Sequence, residues 1–175
     1  MRPLLATVRE IVEVVVIAVV TVFIIRHFLV QPFLVSGASM EPNFSDGNYL
    51  LIDEVTYRFR EPHRGEVVVF RYPKEPSTFF IKRVIGLPGD KISIQNGKVS
   101  VNDHLLDEKY LSSVFQSSDD FSTTLKADQY FVMGDNRSHS FDSRSWGPVT
   151  KEEIIGVVRF RVLPLNELGV LQYNQ

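Results

Sequence analysis

Val35-Ser36-Gly37-Ala38-Ser39-Met40-Glu41-Pro42 divides the chain into two unlike parts. The strongest apolar run in the sequence lies just before it, and short β-type runs separated by turn residues follow it. Ser39 lies between Gly37 and Pro42, which marks a constrained turn. Such a turn exposes a hydroxyl together with free backbone N–H groups, the combination a nucleophile with an oxyanion hole requires. Taken alone, most stretches of this composition are plain turns.

On the N-terminal side, Ile11 to Ile25 reads IVEVVVIAVVTVFII, interrupted only by Glu13. Continued through Phe28-Leu29-Val30, the run reaches about 20 residues, enough to span a bilayer as a helix. Arg26 and His27 then fall near one interface, where long side chains snorkel. No polar stripe recurs at helical spacing, which argues against a surface amphipathic helix. No small-x-small cleavage site follows the run, so it reads as an uncleaved anchor rather than a signal peptide. Arg2 and Arg9 place the N-terminus in the cytoplasm. The chain accordingly divides into residues 1–33, a cytoplasmic N-terminus with a transmembrane anchor, and residues 34–175, an extracytoplasmic β-rich domain. A small insertion is expected at about 95–128.

On the C-terminal side, Tyr49–Ile52, Glu66–Phe70, Thr78–Ile85, Tyr130–Met133 and Ile154–Val162 read as strands. Pro62-His63-Arg64-Gly65 and Gly86-Leu87-Pro88-Gly89-Asp90 are turn signals. Ile92–Ile94 and Val99–Val101 flank Asn96-Gly97, which suits a type I′ hairpin. Ser112–Thr124 is polar and Ser-rich, and reads as a surface loop or small insertion. Evenly spaced short strands predict a mainly β fold, with antiparallel sheets in a partly closed arrangement.

Bulk composition narrows the function. The 175 residues are 44% hydrophobic and 23% charged, the profile of a globular chain. A net charge of −2 without a Lys/Arg run argues against nucleic acid as a partner. Without cysteine there is no thiol or disulfide chemistry. The four histidines, His27, His63, His104 and His139, lack ligand spacing, so neither a metal site nor a cofactor is expected.

In TFFIKRVI, residues 78–85, strand alternation puts Phe80, Lys82 and Val84 on one face and Phe79, Ile81 and Arg83 on the other. A lysine among apolar neighbours has two readings. It can guard an exposed edge strand or snorkel outward. It can also be desolvated, which lowers its pKa until the neutral amine serves as a general base. Beside Ser39, such an amine would complete a Ser-Lys dyad.

Four stretches occur in order between Ser36 and Arg144: SGASMEP, RGEVVVF, IKRVIGLPGD and GDNRSHSFDSR. Together they resemble the sequence boxes of type I signal peptidases, the membrane-bound serine proteases that remove signal peptides from exported proteins. The resemblance implies Ser39 as nucleophile and Lys82 as general base. It implies Ser140 as the serine that orients the lysine amine, with Asp142 and Arg144 as a supporting ion pair. Read without it, that pair is a surface salt bridge of little consequence, and Gly134 to Arg137 is an ordinary polar turn. Gly37 occupies a position where some members carry a serine that completes the oxyanion hole; here the Ser39 N–H and the backbone near Gly37 remain as donors. Glu66 stands where Asp is commoner, and Asn43 where Thr is usual.

The implied fold is the β-fold shared by signal peptidases and self-cleaving repressor proteases. The implied substrates are signal peptides of exported preproteins ending in small-x-small sites. Val35, Met40, Phe44, Phe80 and Ile81 would line shallow pockets for them, or else form ordinary core. The substrate would add a strand to an exposed sheet edge. The implied setting is the plasma membrane of a bacterial-type cell, with the bilayer and the secretion translocase as neighbours. Two other readings compete. A repressor-type Ser-Lys protease would be soluble, which the anchor and GDNRSHSFDSR oppose. A non-catalytic, membrane-anchored peptide-binding domain would not need Ser39, Lys82 and Ser140 intact.

Overall fold

The computed structural model describes residues 2–28, 30–111 and 120–173, with side chains described over 7–22 and from residue 31 onward. Helix α1 spans Arg2–Phe28. Its apolar side chains from Val8 to Val22 are about half exposed or more. Among the described residues no helix is long and apolar enough to cross a membrane; the described α1 side chains are fewer than the roughly 20 residues a span needs. Arg26 and His27, placed at an interface by the sequence, lie outside the described side chains. Val30, counted above into the apolar run, instead opens a strand.

The remaining elements are, in order, β1 Val30–Leu34, β2 Tyr49–Asp53, α2 Thr56–Phe59, β3 Val67–Tyr72, β4 Glu75–Gly86, β5 Lys91–Gln95, β6 Lys98–Val101, β7 His104–Leu105, β8 Phe121–Thr124, β9 Gln129–Met133, α3 Ser143–Trp146, β10 Val149–Thr150, β11 Ile154–Leu163 and β12 Gly169–Val170. The larger sheet has the order β1-β2-β11-β3-β4-β9-β10, with β12 beside β11, and the smaller one runs β7-β6-β5-β8. The fold is mainly β and antiparallel. The sheets are open, which corrects the expectation of a partly closed arrangement. The larger sheet buries the apolar residues of β3 and β4 by being covered on both faces there instead of closing into a barrel.

That covering follows from the sequence of β3 and β4. Val67-Val68-Val69-Phe70 is apolar on both faces and buried throughout. Val68, Phe70 and Val84 enter one core with Tyr130, Val132, Trp146 and Val157. Val67, Val69 and Ile81 enter another with Val35, Met40, Phe44 and Leu50. A third core joins the sheets through Ile85, Phe131 and Met133 on one side and Ile92, Ile94, Val99 and Leu125 on the other. Gly86 sits at that junction, where a Cβ would lie 2.7 Å from both Ile92 Cδ1 and Leu125 Cδ1.

Turn chemistry fixes the smaller sheet. Asn96 and Gly97 have φ of 50° and 75°, as a type I′ turn demands, and pair β5 with β6 in the register Ile94↔Val99. Asn102 and Asp103 repeat the device at the β6–β7 turn, with φ of 51° and 65°. The Ser112–Thr124 loop reading is corrected at its end: Phe121–Thr124 forms β8 and pairs with β5, its alternate residues Phe121 and Thr123 being more buried than Ser122 and Thr124. Residues 112–119 lie outside the described ones.

Gly156 packs under β2, where a Cβ would collide with the Asp53 carbonyl oxygen and approach Ile52 Cγ2 to 2.8 Å. Gly156→Ala is expected to cost about 1–3 kcal/mol of stability. A urea unfolding midpoint unchanged from the unsubstituted chain would contradict this packing.

Candidate active site

The segment Val35 to Phe44 leaves β1 and folds back under the larger sheet. Val35 N–H donates to Asn48 O at 2.9 Å, and Gly47 N–H to Val35 O at 3.0 Å. Met40 is fully buried and Phe44 nearly so, which pins the loop to the core around Ile81. Phe44 N–H donates to Met40 O at 2.9 Å, and Glu41 N–H to Ala38 O at 3.2 Å, forming a tight turn around Ser39. Gly37 has φ +92°, a conformation that favours glycine. Its N–H donates to Asp46 Oδ1 at 2.7 Å. Gly37 is therefore not a free donor, contrary to the expectation that it joins Ser39 in an oxyanion hole. Among the described residues the Ser39 N–H has no such partner.

Lys82 lies on β4 just before β9 begins to pair at Arg83, and its burial, not its place in the strand order, excludes the edge-guard and snorkelling reading. It is 3% exposed and pairs in register with Val68. Its Nζ donates to Ser39 Oγ at 2.7 Å and to Ile81 O at 2.9 Å, and stands 5.3 Å from the centroid of the Phe80 ring. Burial, the largest influence, lowers its pKa to about 8; the Asp142 and Asp135 carboxylates oppose that shift.

Ser140 Oγ is buried and has no hydrogen-bond partner among the described residues, Lys82 included. It nevertheless lies at the dyad. A Cβ on Gly134 would collide with both Ser140 Oγ and the Ser39 carbonyl oxygen, so glycine at 134 lets the three segments meet. Asp142 is fully buried, which corrects the surface-pair reading. Its carboxylate accepts from Arg144 Nε and Nη2, both at 2.8 Å, and from Gly134 N–H at 3.0 Å. Arg144 also donates to Arg137 O at 2.8 Å. Val35, Met40, Phe44 and Ile81 are brought together in one core, whereas Phe80 packs, partly buried, on the opposite face.

Several residues of this site were not singled out from the sequence. Asn136 donates from its backbone N–H to Ser39 O and from its side-chain amide to Ala38 O, both at 3.0 Å. This clamp ties the Ser39 loop to a segment about a hundred residues away. Arg83 forms a bidentate pair with Asp135, at 2.8 Å from Nε and 2.5 Å from Nη2, and stacks 4.0 Å over the Tyr110 ring. Asn43 donates to the same Asp135 at 2.8 Å. Arg137 is buried against Glu108 and donates to Gly134 O. The available signal was a second cation beside Lys82 and a lone aspartate in GDNR, which alternation alone does not pair.

A serine hydroxyl beside a buried amine of lowered pKa, held by a rigid frame, is an arrangement that a Ser-Lys hydrolase would need. The signal peptidase (peptidase S26) family model matches residues 8–163. The chain belongs to this family. Family membership makes it a peptidase. It is 39% identical over 142 residues to a probable signal peptidase I-2 of Synechocystis, a match covering 78% of this chain and 65% of that one. It is 40% identical over 137 residues to signal peptidase I V of Bacillus subtilis, covering 71% and 80%. A signal peptidase I crystal structure from Enterococcus faecalis superposes with a TM-score of 0.50 at 30% identity, covering 56% of this chain and 97% of that one.

Titration of Lys82 followed by NMR on labelled lysine is expected to show a midpoint near 8. The carboxylate of Asp142 favours the ammonium form, so Asp142→Asn should move the midpoint to lower pH. A midpoint near the roughly 10.4 of free lysine would overturn the desolvated site.

Proposed function

We propose that this signal peptidase family member is a membrane-anchored serine endopeptidase that removes N-terminal signal peptides from exported preproteins after small-x-small sites. One observation carries the reading: a buried lysine amine, lowered to about 8, lies 2.7 Å from the Ser39 hydroxyl. Near neutral pH a usable fraction of that amine is unprotonated. It takes the Ser39 proton as Ser39 Oγ attacks the carbonyl of the small residue that ends the signal peptide. The Ser39 N–H stabilises the oxyanion. The resulting ammonium protonates the leaving amine of the mature chain. Lys82 then deprotonates a water that releases the acyl group.

The other residues support these steps. Ser140 Oγ, buried and unpaired next to the dyad, is the group that orients the amine when Lys82 moves between proton acceptor and donor. Asp142 and Arg144 hold the segment that carries it. The signal peptide lies along β4 ahead of Lys82. Strand β9 pairs with β4 only from Arg83 onward, so residues 77–81 have one edge unpaired among the described strands. Val35, Met40, Phe44 and Ile81, on one face, line the small-residue pockets, and Phe80, on the other face, stands apart from them.

The anchor reading rests on α1, whose described apolar side chains from Val8 to Val22 are uncovered. A second apolar surface adjoins the nucleophile loop. Register places Leu34, Tyr49 and Leu163 side by side on the outer face of β1, β2 and β11, with Leu51, Phe160 and Val170 in the next row. Leu34 is 59% exposed and Val170 60%. A solvent face of an antiparallel sheet is ordinarily polar; a bilayer surface accounts for both features. The N-terminus is then cytoplasmic and the catalytic domain extracytoplasmic, in the plasma membrane of a bacterial-type cell, close to the translocase that delivers its substrates.

Cleavage of a preprotein with an Ala-x-Ala site, in detergent, tests the reading. Ser39→Ala and Lys82→Ala should each lower the rate by at least about a thousandfold while remaining folded. Cleavage that persists in purified Ser39→Ala would remove the nucleophile assignment.

A further inference from the structure

The proposed steps use β4 up to Lys82 but leave unassigned what receives the chain on the other side of the scissile bond. Lys82 shares its face of β4 with Phe80, and Phe80 does not stand alone. The Tyr72 ring lies 5.0 Å from Phe80, and the Phe141 ring lies 6.0 Å from Tyr72 in an edge-to-face arrangement. Trp146 backs Tyr72 at 5.7 Å and Phe70 at 5.8 Å. These rings form a continuous aromatic wall that begins 5.3 Å from the reacting amine and runs outward along the β3–β4 hairpin. At its inner end Phe80 and Tyr72 are partly buried. Its outer end, Phe141, is 53% exposed and follows directly after Ser140.

An exposed phenylalanine at the end of an ordered aromatic row, beside a dyad, is a surface built for apolar contact. The occupant follows from topology. Only one half of an extended substrate can use the free edge of β4, because from Arg83 onward that edge is taken by β9. The half before the bond, held over Val35, Met40 and Ile81, takes it. The half after the bond must cross Lys82 and leave on the face that carries Phe80, Tyr72 and Phe141.

We propose that Phe141, Tyr72 and Phe80 form a subsite for the first residues of the mature chain, and that Phe141 selects apolar side chains there. This rests on the peptidase reading above. In it the leaving amine departs across an apolar wall, and Phe141 touches substrate without taking part in proton transfer.

Substrates with one signal peptide and varied residues after the cleavage site provide the test. Each is compared with an ester of the same signal segment whose leaving group is methanol, so that no mature chain is present. The unsubstituted chain should prefer Leu or Phe over Glu at the first two mature positions. Phe141→Ala should lower kcat/KM for the apolar substrates about tenfold, mainly through KM, the scale of one lost aromatic contact. It should leave hydrolysis of the ester unchanged. Phe141→Arg should reverse the preference toward Glu. Equal losses on preprotein and ester, or an unchanged preference in an active Phe141→Arg chain, would overturn the subsite. Absence of any preprotein cleavage by the unsubstituted chain, with the ester also untouched, would instead remove the peptidase reading beneath it.

Discussion

Two adjacent basic side chains on β4 are buried in opposite ways, and the proposed chemistry depends on the difference. Arg83 receives a carboxylate, Asp135, in a two-pronged pair, and that pair is closed off from water. Lys82, one residue earlier, receives only neutral acceptors: a serine hydroxyl and its neighbour's carbonyl. A carboxylate in direct contact with the Lys82 amine would hold it charged, and a charged amine cannot accept a proton. The alternation of a single strand thus separates a structural cation from a basic amine. The Asp135 carboxylate is engaged on the Arg83 side, so it reaches Lys82 only as a distant field.

The same separation explains why the second layer is so dense. An uncompensated buried charge costs several kcal/mol, and removing one partner of a buried pair costs about 3–5 kcal/mol. Asp135 is therefore surrounded by Arg83 and Asn43, and Asp142 by Arg144 and the Gly134 N–H. These contacts connect the segment from Gly134 to Arg144 to β4 and to the Ser39 loop. Asn136 completes the frame by holding two successive carbonyls, Ala38 and Ser39. The hydroxyl of Ser39 is held by groups remote in sequence, so its position follows from the whole fold and not from its own turn.

Local signals made much of this legible in the sequence. The alternation of TFFIKRVI put Lys82 and Phe80 on one face, and Asn96-Gly97 marked its hairpin, because both depend on neighbours along the chain. The four boxes marked the family because their order is itself rare. Pairings across long loops were not legible. Nothing local matches Arg83 to Asp135 or Asn136 to Ala38, and the Gly37 N–H is taken by Asp46 through a turn geometry that composition does not specify. Strand β8 was hidden by polar residues, because an edge strand of a small sheet with one solvated face needs few apolar side chains.

The unpaired edge of β4 is the remaining constraint. Proteins ordinarily blunt such edges, since a free row of N–H and C=O groups recruits other strands. Here the blunting is confined to the tip: Pro76 lacks a donor, and Arg71 donates to its carbonyl at 3.3 Å. From Ser77 to Ile81 the edge stays open among the described strands, and β9 begins to pair at Arg83. Lys82 is the residue at that boundary. A strand added to this edge would run out of backbone partners at Lys82, beside the Ser39 hydroxyl. In the proposed reading, the register of β9 against β4 would thus set the cleavage position.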